Sequence, residues 1–567
     1  MTDIDALTAA DHAPVTTSTG VAALHEMRTT RKRHRLGDLE WFDAAYKVYV
    51  VALFGGIVLL WLSDLVGDAE LSAAQALDVA ANGPAVVGMA AVIAFVAGLR
   101  SGAQGGPLAL EAADVAHVLL APIPRRTALL RPTVQRLRSA GFAGAAVTAS
   151  LAQLAGRRLP GTPVAWFFAG GLFGLNLALL WVGAALVAHA IRLPLVVSTV
   201  VGLVGVGWQA AAITWGVPGP GNLDGSLGLW GWRQHGIDSL ALVFTAAIVV
   251  IGVLLVARTS LEALARRASL VAQLRFAVTM QDLRTVILLR RQLSSEHTRR
   301  QPWVQLSARG TGPAVWRRGW HSLLRLPAGR VLRMLALTVG AAACQVAVIH
   351  GTSPAIFGTL VCTFVLGLEV MEPLSQEVDQ PDRTDSFPLE RGDLMFRHLA
   401  APAVALVPFT LLGAATAVGI DAAITDGSRV AGAIPVALLL AVAATFAGAS
   451  GAAISIVRDA PDPMSGTTQD VYLPPEMAGF TTVLRTVIPL VVSAAGAAMA
   501  LGTRGVIERG DASPVATAAR GALAIVLLTA GVAAWVRSRD RLRRKIRAFM
   551  SEGREHTRQQ QQQRSNR

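Results

Sequence analysis

Twelve apolar stretches, each long enough to cross a bilayer, decide what this chain can fold into. A hydrocarbon core of about 30 Å takes about twenty mainly apolar residues per helical crossing, because each crossing must satisfy its own backbone polar groups. Six stretches lie near 48–66, 79–99, 138–155, 164–188, 193–213 and 238–257. Six more lie near 333–350, 353–371, 399–419, 430–456, 484–501 and 515–536. The predicted fold class is all-α: a polytopic integral membrane protein of about 12 transmembrane helices, in two six-helix halves joined by an amphipathic linker. With 53% hydrophobic and 16% charged residues, a chain of 567 residues has too little polar surface for a soluble body.

Five regions follow: a polar, partly disordered N-terminal segment (1–45), a first half (46–257), a basic linker (258–332), a second half (333–536) and a basic tail (537–567). Basic residues set the orientation, since Arg- and Lys-rich short loops stay in the cytoplasm during insertion. Both termini are predicted cytoplasmic, in a bacterial cytoplasmic membrane. Only Arg157, Arg158, Arg233, Arg429, Arg504, Arg509 and Arg520 then fall at the outer face. The net charge of +14 gathers in two places: residues 258–333 hold fifteen Arg against three acids, and the tail from Arg537 holds eleven basic residues against three acids. Basic segments beside spans are attracted to anionic inner-leaflet lipid, at about 1 kcal/mol per residue. Such lipid is the expected partner, and nucleic acid is not.

The linker from Arg258 to Leu293 lacks Pro and Gly and places Leu261, Leu264, Ala268 and Val271 at helical spacing, which predicts amphipathic helices on the inner membrane surface. Trp303, Trp316 and Trp320 follow among arginines, as headgroup anchors. The Gln-rich run after Arg558 is expected to be disordered. Cys344 and Cys362 both fall within spans and read as small packing residues.

No enzyme motif is present. His25 and Glu26 start a zinc-protease pattern that fails at Thr29, and the three lysines precede Arg33, Val48 and Ile546 where a phosphate loop needs Ser or Thr. No cofactor is expected. No charged residue lies deep in a predicted span; the mid-span polar groups are Asn176, Gln209 and Gln345, suited to interhelical hydrogen bonds. Glu369 and Glu372 sit at a span end as interfacial anchors. Gly170 with Gly174, and Gly448 with Ala452, allow close helix approach. The Gly- and Trp-rich loop from Thr214 to Gly236 reads as a short re-entrant cap.

One loop is repeated at an offset of 266 residues: Pro107, Leu108, Glu111, Pro122, Arg125 and Arg131 recur as Pro373, Leu374, Glu377, Pro388, Arg391 and Arg397. Asp114 accompanies the first copy, and Asp379 the second. The prolines break helices into short segments. An acidic residue, a Leu119-Leu120-x-Pro122 turn and a basic start to the next helix resemble ABC-2-type exporter permeases, and the chain is similar to a group of large actinobacterial twelve-span membrane proteins. In the second copy Asp385 and Ser386 replace the Leu pair. The resemblance implies a fused pair of permease halves, no ATPase of its own, and a separate ABC ATP-binding subunit met by Glu111, Asp114, Pro122, Arg125, Glu377, Asp379, Pro388 and Arg391. The alternative for these loops is solvated turns whose acids pair with nearby Arg. For the whole chain the alternatives are a non-transporting scaffold or assembly factor, an ion-coupled secondary transporter and, last, a membrane enzyme.

Overall fold

The computed structural model describes residues 17–37, 72–279, 301–305, 313–425, 430–458, 475–510 and 512–565, apart from 109, 112, 122, 381, 382 and 385, together with positions 45, 49, 53, 55, 56 and 60. Among these residues the chain is helical and without strands. It divides into two compact units, Met1–Leu289 and Arg290–Arg567. Nine of the described helices are long and apolar enough to cross a membrane, or ten when a bent pair is counted as one crossing. The first expected crossing lies almost wholly outside the described residues. The third, expected near 138–155, falls in a helix over Arg125–Ala152 whose first half carries five arginines, and it is not among those nine.

In the first unit the helices are α1 (Thr17–Gly37), α2 (Ala73–Ala103), α3 (Arg125–Ala152), α4 (Pro163–Ala190), α5 (Leu195–Trp215), α6 (Asn222–Gly228), α7 (Leu240–Leu254) and α8 (Leu261–Thr279). Helix α4 is apolar on every face and therefore occupies the centre, with Val182, Ala184, Ala185, Leu186 and Ala188 buried and α2, α3 and α7 packed around it. Its approach to α3 depends on small residues: a Cβ on Gly174 would strike the carbonyl of Gly144 and the hydroxyl of Thr148. Thr162 caps α4 by accepting a 3.2 Å hydrogen bond from the Ala165 amide, with Pro163 at the first helical position. Thr162→Ala is expected to cost about 1 kcal/mol of stability, measured as a lower thermal midpoint. Outward faces such as Val200, Val204 and Trp208 of α5 are exposed and apolar, as lipid contact requires.

The second unit holds α9 (Ala314–Leu323), α10 (Ala328–Ile349), α11 (Ala355–Val370), α12 (Glu372–Val378), α13 (Arg391–His398), α14 (Ala400–Ile424), α15 (Val430–Arg458), α16 (Pro475–Arg509) and α17 (Pro514–Ser565). Helix α15 takes the central place here, with Ala443, Ala447, Ala452 and Val457 fully buried and α11, α14, α16 and α17 around it. Gly448 lets α15 meet the α11 backbone at Thr363. Helices α11 and α12 form the bent pair, turned by 61°.

The N-terminal segment contains a helix, α1, with Leu24 buried. One expectation for the other end of the chain is corrected: α17 continues through the Gln-rich run to Ser565. Gln and Arg are good helix formers, and that run has no Pro or Gly to stop a helix already propagating. The apolar stripe of the linker helix α8 forms, with Leu264 and Ala268 buried against its own unit's repeated loop; Val271 lies outside the described side chains.

Candidate functional site

Each copy of the repeated loop is a packed extension of its unit's core. In the first unit α2 ends at Ala103, and Gly105 and Gly106, both with positive φ, turn the chain under the helix end. Pro107, Leu108, Leu110, Val115 and Leu119 then fold inward against Leu129, Val182, Leu186 and Leu264. A single wide turn spans Asp114–Val118, and its start is marked by a 3.1 Å hydrogen bond from the Val115 amide to the Glu111 carbonyl. Two arginines tie neighbouring helices to the loop: Arg267 of α8 donates to the Gly106 carbonyl, and Arg28 of α1 donates to the Ala128 carbonyl at 2.8 Å. Burial lowers the pKa of both guanidinium groups, and a nearby arginine adds to it in each case. Glu111 and Asp114 are half-buried, Arg125 is exposed, and Pro122 lies outside the described residues.

The second copy is drawn further inside. Pro373 sits in the first turn of α12, where its missing N–H costs nothing, and Leu374, Ser375, Glu377 and Val378 are buried. Glu377 is 0% exposed. Arg318 of α9 reaches its Oε2 at 2.8 Å, and His398 Nε2 of α13 lies 3.5 Å from the same oxygen. Neither contact is an aligned hydrogen bond, so distance makes Arg318–Glu377 an ion pair without the directional bond that strengthens most such pairs. Burial lowers the Arg318 pKa, the Glu377 charge opposes that shift, and Arg383 adds to it. Thr384 closes the loop by donating to the carbonyls of Glu377 and Gln380, at 3.2 and 2.7 Å.

Equivalent positions are buried in both copies: Pro107 with Pro373, Leu108 with Leu374, Ala128 with Leu394, and Leu129 with Met395. The acids differ, half-buried at Glu111 and enclosed at Glu377. Asp379 and Arg391 are half-buried and Pro388 is exposed. Glu377, expected to face a separate subunit, thus meets an arginine of its own unit. Each loop nevertheless presents a large apolar side chain at its tip, Leu120 at 73% exposed and Phe387 at 40%.

Beside α12, Arg330 of α10 bridges Glu369 and Glu372, with Nη2 at 2.7 Å from Glu372, and Arg333 also reaches Glu369. The two acids read from sequence as interfacial anchors are thus joined in one ion cluster. Trp316 and Trp320, expected in headgroups, make an edge contact at 5.7 Å and pack on the core of the second unit. An apolar cavity of about 710 Å³ lies next to them, with α15 residues Ala449, Ser450 and Ala453 among its lining, walls from α14 and α17, and Arg397 as its charged lining residue. Ser450 and Thr529 hydrogen-bond to each other at 3.0 Å, so their hydroxyls are already satisfied.

At the opposite end of the first unit, the re-entrant cap expected from Thr214 to Gly236 takes shape as α6 packed on α2. A Cβ on Gly225 would strike the Pro84 carbonyl, and one on Gly88 would strike the Gly221 carbonyl. Gln209 of α5 pins the cap, donating to the Ala85 carbonyl at 2.7 Å and to Asn222 Oδ1 at 3.0 Å while accepting from the Gly221 amide at 2.8 Å. Asp224 is thereby set against α4, where Asn176 Nδ2 donates to its Oδ1 at 2.6 Å. Burial pushes the Asp224 carboxyl above its ordinary range, against the pull of hydrogen bonds from Asn176 and from its own backbone amide. A search of the spans alone misses this acid, because it lies in a loop that folds back into the bundle.

Comparison with protein-family models, with curated proteins and with solved structures finds no match to the chain.

Proposed function

We propose that the chain is the membrane-spanning permease of an exporter powered by a separate ATP-binding subunit, in a bacterial cytoplasmic membrane with both termini in the cytoplasm. On this reading twelve crossings form two six-span halves, α3 supplies the third crossing, and the arginine-rich segments lie against anionic inner-leaflet lipid. The supporting observation is the paired loops. A loop whose inner face continues the core of a unit, and whose tip exposes a large apolar residue, can pass a push from a docked subunit to the central helix. Glu377 then serves as an internal brace, while Leu120, Phe387, Pro388 and Arg125 form the contact face.

Leu120→Asp combined with Phe387→Asp tests this reading. Loss of apolar anchors costs at least about 2 kcal/mol at an interface, or about 30-fold in affinity. The pair is expected to weaken binding of the ATP-binding subunit by that factor and to abolish its stimulated ATP hydrolysis, with membrane insertion unchanged. Unchanged binding and stimulation would remove the proposed role. A second reading, an ion-coupled transporter, is favoured by the buried Asp224. ATP-independent flux driven by a pH gradient would select it over the permease.

A further inference from the structure

We propose that Asp224 is a proton-binding site held at mid-membrane depth by the α6 cap. Its partner Asn176 is thirteen residues from Pro163 and fourteen from Ala190, the two ends of α4. At about 1.5 Å of rise per residue, Asn176 lies about 20 Å from either end of the helix. Asp224 is 6% exposed and Asn176 1%. An acid at that depth lacks water, and its charged form is disfavoured there unless a cation or several hydrogen-bond donors face it.

No such cation faces it among the described residues. From α2, Asp78 accepts from Asn82 at 2.7 Å near the helix start. Arg233, from the chain beyond α6, donates to the Ala80 carbonyl. Asp238, before α7, is held by Ser226 and by Trp230 Nε1 at 2.9 Å, with His235 at 3.9 Å. The titratable group of α4, His189, lies at the other end of that helix, against Gly102. Helices α5 and α7 contain no titratable residue. None of these groups pairs with Asp224, whose charged form is favoured by the Asn176 amide and by its own backbone N–H alone.

The Asn176 amide supplies the second observation. Its Nδ2 is used by Asp224, whereas its Oδ1 is buried and accepts nothing. A carboxylic acid paired with a primary amide completes a ring of two hydrogen bonds: the amide N–H donates to one acid oxygen, and the acid O–H donates to the amide oxygen. The first bond is present, and the idle Oδ1 is left as an acceptor for an O–H donor. An ionised Asp224 has no hydrogen to give it. Protonation therefore gives Asn176 Oδ1 the donor it lacks, and this conclusion holds whether or not ATP drives the protein.

The test uses the purified full chain in lipid vesicles. The infrared spectrum is expected to contain the carbonyl band of a protonated buried carboxyl that persists above the ordinary carboxylate range, disappears on alkalinisation and is absent from Asp224→Asn. Because the raised pKa favours the protonated fold, the thermal midpoint of the wild type should fall as pH rises through the titration. That fall should be reduced in Asp224→Asn, whose amide still accepts from Asn176. A lipid-soluble carbodiimide supplies an arm that needs no variant: peptide mapping should locate the adduct at Asp224, forming about tenfold more slowly per pH unit above the titration point. A wild type without the band, a band unchanged in Asp224→Asn, or no adduct at Asp224 would overturn the proposal. So would stabilisation of the wild type by sodium ions at constant pH, which would mark a metal-ion site instead.

Discussion

Replacing Arg318 with alanine will destabilise the second unit by about 3–5 kcal/mol, the usual cost of stranding one member of a buried ion pair. Glu377 has no exposure, so its charge has no water to turn to once the guanidinium is gone, and His398 lies 3.5 Å away without an aligned bond. The reverse change, Glu377→Ala, should cost less, because Arg318 is 29% exposed and can rotate its charge toward solvent. The double variant Arg318→Met with Glu377→Leu should recover most of the loss, since an apolar pair of similar volume removes both desolvation costs. Thermal unfolding of the detergent-purified protein measures all three. A loss below about 1 kcal/mol in Arg318→Ala would mean that the pair does not brace the loop.

Gly225→Val should expel the cap. The new side chain meets backbone, the Pro84 carbonyl and the Gly88 amide, which cannot move aside as a side-chain tip can. Overpacking in a closed contact costs about 1–3 kcal/mol when neighbours yield, and here α6 itself is what must yield. Asp224 is then withdrawn from Asn176, and the segment near 216–239 becomes a substrate for protease added at its own face of the membrane. Gly88→Leu should give the same cleavage from the opposite wall, because its side chain meets the Gly221 carbonyl. Wild-type protein should resist. Equal resistance in both variants would show that the cap does not depend on this close approach.

The sequence carried the all-helical, multi-pass class because burial in lipid leaves a one-dimensional record, about twenty apolar residues at a time. Helix centrality was partly legible as well: α4 and α15 have small residues and no polar face, and both are central. Pairing across the chain was not legible. Arg318 and Glu377 are 59 positions apart, and nothing in a basic linker singles out the arginine that turns inward. Asp224 is hidden for a related reason, since it lies outside every apolar stretch, whereas a short helix after Gly216 carries the acid to the middle of α4. The repeat singles out two loops as equivalent, but their acids, Glu111 and Glu377, are not. Only contact with α9 and α13 makes the second an enclosed charge.

The proposal that outside force drives this protein is met most directly by one reconstitution. The ATP-binding subunit recovered with the wild-type chain from native membranes is combined in vesicles with either wild-type protein or the Leu120→Asp, Phe387→Asp variant, and ATP hydrolysis is followed. The permease reading requires hydrolysis to rise with wild-type protein and to stay at the level of the isolated subunit with the variant. Hydrolysis indifferent to the chain, together with solute movement that follows a pH gradient in the absence of ATP, would contradict it.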